Sequence, residues 1–345
     1  MATKNHFSYY LVGLLVLLLL CGKVVAEPVE LKSSHPDRYV VVKGDTLWDI
    51  SARFLKSPWR WPDIWQANEQ IANPHLIYPG DLIELSFVDG VPRLTLTRGN
   101  GKMSPSIRYS DLAAAIPVIP IDAIAPFINS PRVISQQDYD QAPYIVAFSD
   151  EHILGSSGNL AYVRTLDESD DRGYIVIRLG EEYVDGETGE SLGFEATFIA
   201  DTQVKVLGDP ATVLLPKTTR EVIKGDKLVT MQPEKMLQNY YPHAPSDDVS
   251  GHIVGVVDGV NQIGQYNVVV IDRGEQDGIE VGHVLTVDQA GETIRDVVAG
   301  KGKMVTLPSE EAGTLMVFRV FDRVSYALIM EAKRVMHRMD VVHTP

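Results

Sequence analysis

The residues able to do bond-making chemistry are few and scattered. Cys21 is the single cysteine among 345 residues, so any thiolate mechanism rests on it alone. The nine histidines form no His-x-His or His-Glu-x-x-His pair, the spacings that aim two ring nitrogens at one zinc ion. Asp150-Glu151-His152 offers ligands for a divalent cation but reads as a solvated loop leaving a strand. Asp167-Glu168-Ser169-Asp170-Asp171 concentrates carboxylates without the spacing and closing glutamate of a calcium loop. Gly155-Ser156-Ser157-Gly158 lacks the nucleophile-elbow pattern, and Glu190-Ser191 falls in an expected hairpin, where a transglycosylase acid would sit on a helical scaffold. The expectation is a chain that binds and does not catalyse, with no metal and no cofactor.

Binding chemistry concentrates between Tyr39 and Leu85, and its elements can be read from turn and cap residues. A β-branched run, Tyr39 to Val42, leads to Gly44-Asp45, which allows a sharp turn. Thr46 caps a helix, because its hydroxyl can accept an orphan first-turn amide, and Asp49 completes a capping box. Leu47, Ile50 and Phe54 fall on one helical face. Ser57-Pro58 ends that helix, and Pro62-Asp63 opens a second. Asn73-Pro74 forces an extended exit, and Pro79-Gly80 suits a type II turn into a strand, Leu82 to Leu85. The reading is strand, helix, helix, strand.

The ordered set Tyr39, Val41, Gly44-Asp45-Thr46-Leu47-Trp48, Ile50, Trp65, Ala67-Asn68, Ile71, Asn73-Pro74, Ile77, Pro79-Gly80 and Leu82 resembles the LysM domain. The insert Lys56 to Pro62 is longer than the shortest pattern of that family. The resemblance implies binding of N-acetylglucosamine-containing glycans, most often peptidoglycan. It places the groove between Gly44, Asp45, Thr46 and Leu47 on one side and Asn73, Pro74, His75, Leu76, Ile77 and Tyr78 on the other. Two short loops with free backbone groups and apolar side chains can answer the donor, acceptor and methyl of an acetamido group. Leu47 and Ile77 are equally readable as plain core. Of the four tryptophans, Trp59 or Trp61 in the insert is the better candidate for stacking on a sugar face, and the others read as core.

Composition bounds the rest. A net charge of −15 disfavours nucleic-acid partners. Residues 1–26 read as a signal peptide: Lys4 and His6, an apolar run from Leu11 to Leu20, then Val24-Val25-Ala26 before Glu27. An uncleaved anchor and lipidation at Cys21 are the alternatives. Cleavage after Ala26 would remove the one cysteine and direct the chain to the periplasm or cell envelope.

The chain then divides into a flexible lead-in, 27–37; the sugar-binding module, 38–86; a linker and proline-rich connector, 87–131, holding one hairpin signal; a β-rich unit, 132–232; a linker, 233–250; and a second β-rich unit, 251–345. The β-rich units read as barrels or small sandwiches, because short valine- and isoleucine-rich runs alternate with turn signals. The connector carries apolar residues among Pro117, Pro120, Pro126 and Pro131, which argues that it packs and does not hang free. An echo of glycine turn and strand recurs at Ile77–Leu82, Val222–Leu228, Val281–Leu285 and Met336–Val341. The fold class expected is α+β. The downstream region is similar to the tails of periplasmic LysM proteins of Gram-negative bacteria. The expected function is an exported, carbohydrate-binding wall anchor or scaffold, with an envelope protein as a further partner of the β-rich units. The alternatives are a cell-wall hydrolase with a cryptic catalytic domain and an accessory component of an envelope assembly.

Overall fold

A computed structural model describes residues 28–65, 77–97, 116–128, 132–166, 173–230, 240–257, 262–298 and 302–345. The N-terminal unit holds β1 (Arg38–Val40), α1 (Leu47–Phe54), α2 (Trp61–Trp65) and β2 (Leu82–Val88), with a 3₁₀ turn at Pro58–Arg60. Helix α1 starts at Thr46, whose hydroxyl accepts the Asp49 amide at 3.1 Å, while the Thr46 amide donates to the Asp49 carboxylate at 3.3 Å. Leu47, Ile50 and Phe54 all face inward. Strand β2 pairs antiparallel with β1, setting Tyr39 opposite Ile83.

The 87–131 segment departs from a linker. Asp89 and Gly90 both take positive φ, and this tight turn returns the chain as β3 (Val91–Thr97). Strand β3 pairs with β2 from Leu82↔Thr97 to Val88↔Val91, so the module's sheet has three strands. The lead-in is tied down where flexibility was expected. The Lys32 amide donates to the Phe54 carbonyl at 2.8 Å, satisfying an acceptor that the end of α1 leaves open, and the Lys56 amide donates to the Glu30 carbonyl at 3.0 Å. The connector resumes at Ile116 and enters α3 (Ile121–Ile128), where Ile116, Val118, Ile119 and Ile124 are buried.

Next comes one eight-stranded antiparallel sheet. Its spatial order is β4 (Arg132–Ile134), β8 (Ser191–Asp201), β7 (Tyr174–Val184), β11 (Lys227–Thr230), β5 (Tyr144–Phe148), β6 (Leu160–Arg164), β10 (Ala211–Leu214), β9 (Gln203–Val206). A short helix, α4 (Gln136–Gln141), capped by Ser135, links β4 to β5. Alternation along β7 sends Val176 to one hydrophobic set and Ile175 and Ile177 to another.

The C-terminal unit is a closed six-stranded barrel. Its order is β12 (Ser250–Val256), β13 (Val268–Ile271), β18 (Ser325–Ala332), β17 (Glu310–Val320), β14 (Val284–Gln289) and β19 (Val341–His343), which returns to β12. A small hairpin, β15 (Thr293–Arg295) with β16 (Met304–Thr306), projects from it. Side-chain alternation sorts the barrel residues into two sets. Val269, Ile271, Leu285, Leu315, Val317, Ala327 and Ile329 form one core. Val268, Val270, Met316, Phe318, Tyr326 and Leu328 join Leu47, Ile50, Phe54, Ile116, Val118 and Ile124 in a second. The N-terminal module therefore shares a continuous apolar core with a barrel wall through the connector. Residues 240–250, expected as linker, also pack: Tyr240 is buried, and the His243 amide donates to the Gly282 carbonyl at 3.1 Å.

The glycine-turn echo is a real structural repeat. In Val42–Asp45, Tyr78–Asp81, Ile223–Asp226, Gly264–Asn267, Glu280–His283 and His337–Asp340, the fourth residue's amide donates to the first residue's carbonyl, and its side chain accepts the first residue's amide. The third residue always has positive φ: Gly44, Gly80, Gly225, Tyr266, Gly282 and Met339. Five of these turns also clamp one residue of a facing segment between the third amide and the fourth carbonyl: Val41, just past β1, and Ile145, Ile329, Val317 and Ile253 within strands. Local turn chemistry thus launches a strand and pairs its first residues in one step.

Candidate functional site

The loop from Gly44 to Leu47 and the turn entered at Ile77 face each other across the end of α1. Their side chains are committed internally. The Asp45 carboxylate accepts from the Tyr39 hydroxyl and the Val42 amide, each at 2.9 Å. Burial, then this carboxylate, pushes the Tyr39 phenol above its ordinary value. The Thr46 hydroxyl donates to the Asp49 carboxylate at 2.7 Å while capping α1. Leu47 and Ile77 are both 0% exposed, so the core reading of these two holds. Gly44 is exposed and Tyr78 half-buried. Asn73, Pro74, His75 and Leu76, the rest of the expected second wall, lie outside the described residues.

What faces across the groove is backbone. Capping satisfies the Asp49 amide but leaves the first two amides of α1, at Leu47 and Trp48, pointing outward from the helix end. The carbonyl of Ile77 supplies an acceptor on the opposite side. These groups are not free, as the sequence had suggested. Leu47 N–H donates to the Pro117 carbonyl at 3.0 Å, Trp48 N–H donates to the Val118 carbonyl at 3.1 Å, and Ile116 N–H donates to the Ile77 carbonyl at 2.9 Å. The connector's apolar residues were the one sequence signal that it would pack; nothing in them named this place.

The tryptophans resolve against most sugar platforms. Trp48, Trp61 and Trp65 are buried, Trp61 at 1% exposure, which removes it as a stacking surface and corrects half of that expectation. Trp59 is half-buried against the same core and keeps part of its indole at the surface.

Other reactive-looking groups are held in structural roles. The Glu190 carboxylate pairs with Arg323 at 2.9 Å, and Ser157 Oγ lies 3.1 Å from Thr218 Oγ1. Asp150 and Glu151 occupy an exposed positive-φ turn. His243, Glu280 and His283 bring one ligand-type atom each within 4.8 Å of one another. His283 nevertheless fills the aspartate position of the repeated turn: Nδ1 accepts the Glu280 amide at 3.1 Å, so the ring's proton resides on Nε2. Neither nitrogen then offers a lone pair to a metal. Burial and the neighbouring His243 lower its proton affinity, in keeping with a neutral acceptor. No helix among the described residues is long and apolar enough to cross a membrane.

With this geometry in view, the comparisons are specific for one stretch. Residues 39–86 match the family model of the LysM domain. Residues 39–86 are a LysM domain. LysM domains bind N-acetylglucosamine-containing glycans such as peptidoglycan. The chain is also similar to an uncharacterized protein of Bacillus subtilis (strain 168), YqbP, at 36% identity over 62 residues. That match takes in 15% of this chain and 28% of YqbP's length. The LysM fold carries its strand-helix-helix-strand order here, followed by the β-rich sheet and barrel.

Proposed function

We propose that this protein binds a peptidoglycan-type glycan outside the cytoplasm, through the backbone groups between the Gly44–Leu47 loop and Ile77, and acts as a wall anchor or scaffold without catalysing a reaction. The observation that carries the reading is the facing pair of helix-end amides, at Leu47 and Trp48, and the Ile77 carbonyl within a LysM domain. An acetamido group presents the complementary acceptor and donor, with a methyl for the apolar floor. The residues expected at Gly44, Asp45, Thr46, Leu47 and Ile77 then contribute main chain and support. The export signal read in residues 1–26 supports a periplasmic or envelope location. The sheet and barrel serve as the body that the glycan contact anchors.

The test is co-sedimentation of the purified protein with washed sacculi, run beside a zymogram on the same wall material. Binding without clearing is the expected result. Protein wholly in the supernatant, with Ile116–Ile119 both intact and displaced, refutes glycan binding; clearing refutes the non-catalytic role.

A further inference from the structure

We infer that Ile116–Ile119 is a built-in plug of the LysM groove, and that glycan binds only when this segment leaves. The inference rests on the glycan reading above and adds its regulation.

The segment reproduces the chemistry of the proposed ligand. The Pro117 carbonyl takes the Leu47 amide, as an acetamido carbonyl would. The Ile116 amide reaches the Ile77 carbonyl, as an acetamido N–H would. Pro117 itself has no N–H, so the crossing residue presents only its acceptor to the groove. Val118 and Ile119 fill the apolar side at 1% and 0% exposure. A sugar and this peptide therefore compete for the same donors and acceptor, and those groups cannot serve both at once.

The plug is also wired to the barrel. It runs into α3, whose Phe127 carbonyl accepts from Arg319 Nη1 at 3.2 Å, and Ile124 sits in the core shared with the barrel wall. A second contact joins the module to the barrel directly: the Tyr266 hydroxyl donates to the Asp49 carboxylate at 3.1 Å. Asp49 is the capping-box partner of Thr46 in α1, the helix whose first amides the plug occupies. The plug is therefore continuous with the barrel contacts made by Ile124 and Phe127, while the Tyr266–Asp49 contact holds the module to the barrel separately. The apparent affinity of a groove that is open only part of the time falls by the open fraction.

The experiment compares the full chain with Val118→Asn, a neutral change that puts an amide where the plug is buried without altering attraction to an anionic wall. Chitohexaose and washed sacculi are the probes. A plug closed nine-tenths of the time predicts about ten-fold tighter binding of both by Val118→Asn. A Val118→Cys protein provides the independent readout: thiol labelling at residue 118, located by peptide mass analysis, should be slow alone and faster with saturating chitohexaose. Equal affinity of the two chains, or saturation with chitohexaose that leaves labelling at 118 unchanged, overturns the plug and leaves the glycan reading standing. If Val118→Asn misfolds, the labelling comparison still decides. If chitohexaose and sacculi bind neither chain although labelling shows the groove open, the glycan reading itself has failed and the gate falls with it.

Discussion

Replacing Asp226 with alanine should unfold the eight-stranded sheet far more readily than a surface change would. The carboxylate accepts Arg178 Nε and Nη2, each at 2.8 Å, and the Ile223 amide at 2.8 Å. Its side chain is 1% exposed, against 34% for Arg178. The hydrogen bonds that Arg178 donates to Asp226 hold its guanidinium above its ordinary pKa. The turn amide contributes about 1 kcal/mol, and the two-pronged charged contact, discounted for the half-exposed arginine, about 2 kcal/mol. The expected loss is therefore about 3 kcal/mol, or roughly 12–24 °C in melting temperature for a unit of about 100 residues. Asp226→Asn separates the two parts, because Asn267 shows that an amide oxygen serves the same turn, accepting the Gly264 amide at 2.7 Å. It should keep the turn, lose the charge, and fall between wild type and alanine. Calorimetry of the full chain, with tyrosine circular dichroism reporting on a sheet that contains no tryptophan, measures both shifts. Alanine melting within about 1 kcal/mol of wild type, or asparagine no better than alanine, would refute the reasoning.

Three further outcomes follow from the same geometry. His283 accepts an amide only when neutral, and burial with His243 lowers its folded-state pKa; its stabilisation is complete above the ordinary imidazole value of about 6.5 and is lost as pH falls below it. His283→Asn should flatten the drop in melting temperature between neutral and mildly acidic pH, and parallel curves would count against it. Burial and Asp49 push the Tyr266 phenol up to about 12, so the stability it lends the LysM–barrel contact is present below its ordinary value near 10 and lost as pH rises from there to about 12. Tyr266→Phe should abolish that alkaline step in tryptophan fluorescence, since all four tryptophans lie in the module; an unchanged step would reassign it. Gly313 sits in β17 where a Cβ would stand 2.0 Å from the Glu331 carbonyl oxygen, so Gly313→Ala should cost roughly 3 kcal/mol or more of barrel stability, and a melting temperature equal to wild type would disprove the close packing.

The local grammar of this chain was legible in its residues. Thr46 and Asp49 specify a capped helix wherever the tertiary fold places it, because both partners lie within one turn. Pro79-Gly80-Asp81 and Ile223-Lys224-Gly225-Asp226 specify their turns for the same reason, and alternating valines mark the strands of sheet and barrel. Even the second hairpin strand of the module was foreshadowed by Asp89-Gly90, although its pairing with β2 along the full length was not. Contacts between distant residues were a different matter. That Ile116–Ile119 lies across the ends of two loops depends on an amide at Leu47 and a carbonyl at Ile77, groups every residue possesses and no side chain announces. Trp61 looked like a surface platform until packing buried it, and His283, which no spacing in the sequence singles out, fills an aspartate's role in its turn. Sequence fixes which backbone shapes are cheap over a few residues. Which donors meet which acceptors across seventy residues is set by the closing of a shared core, and only the folded chain decides that.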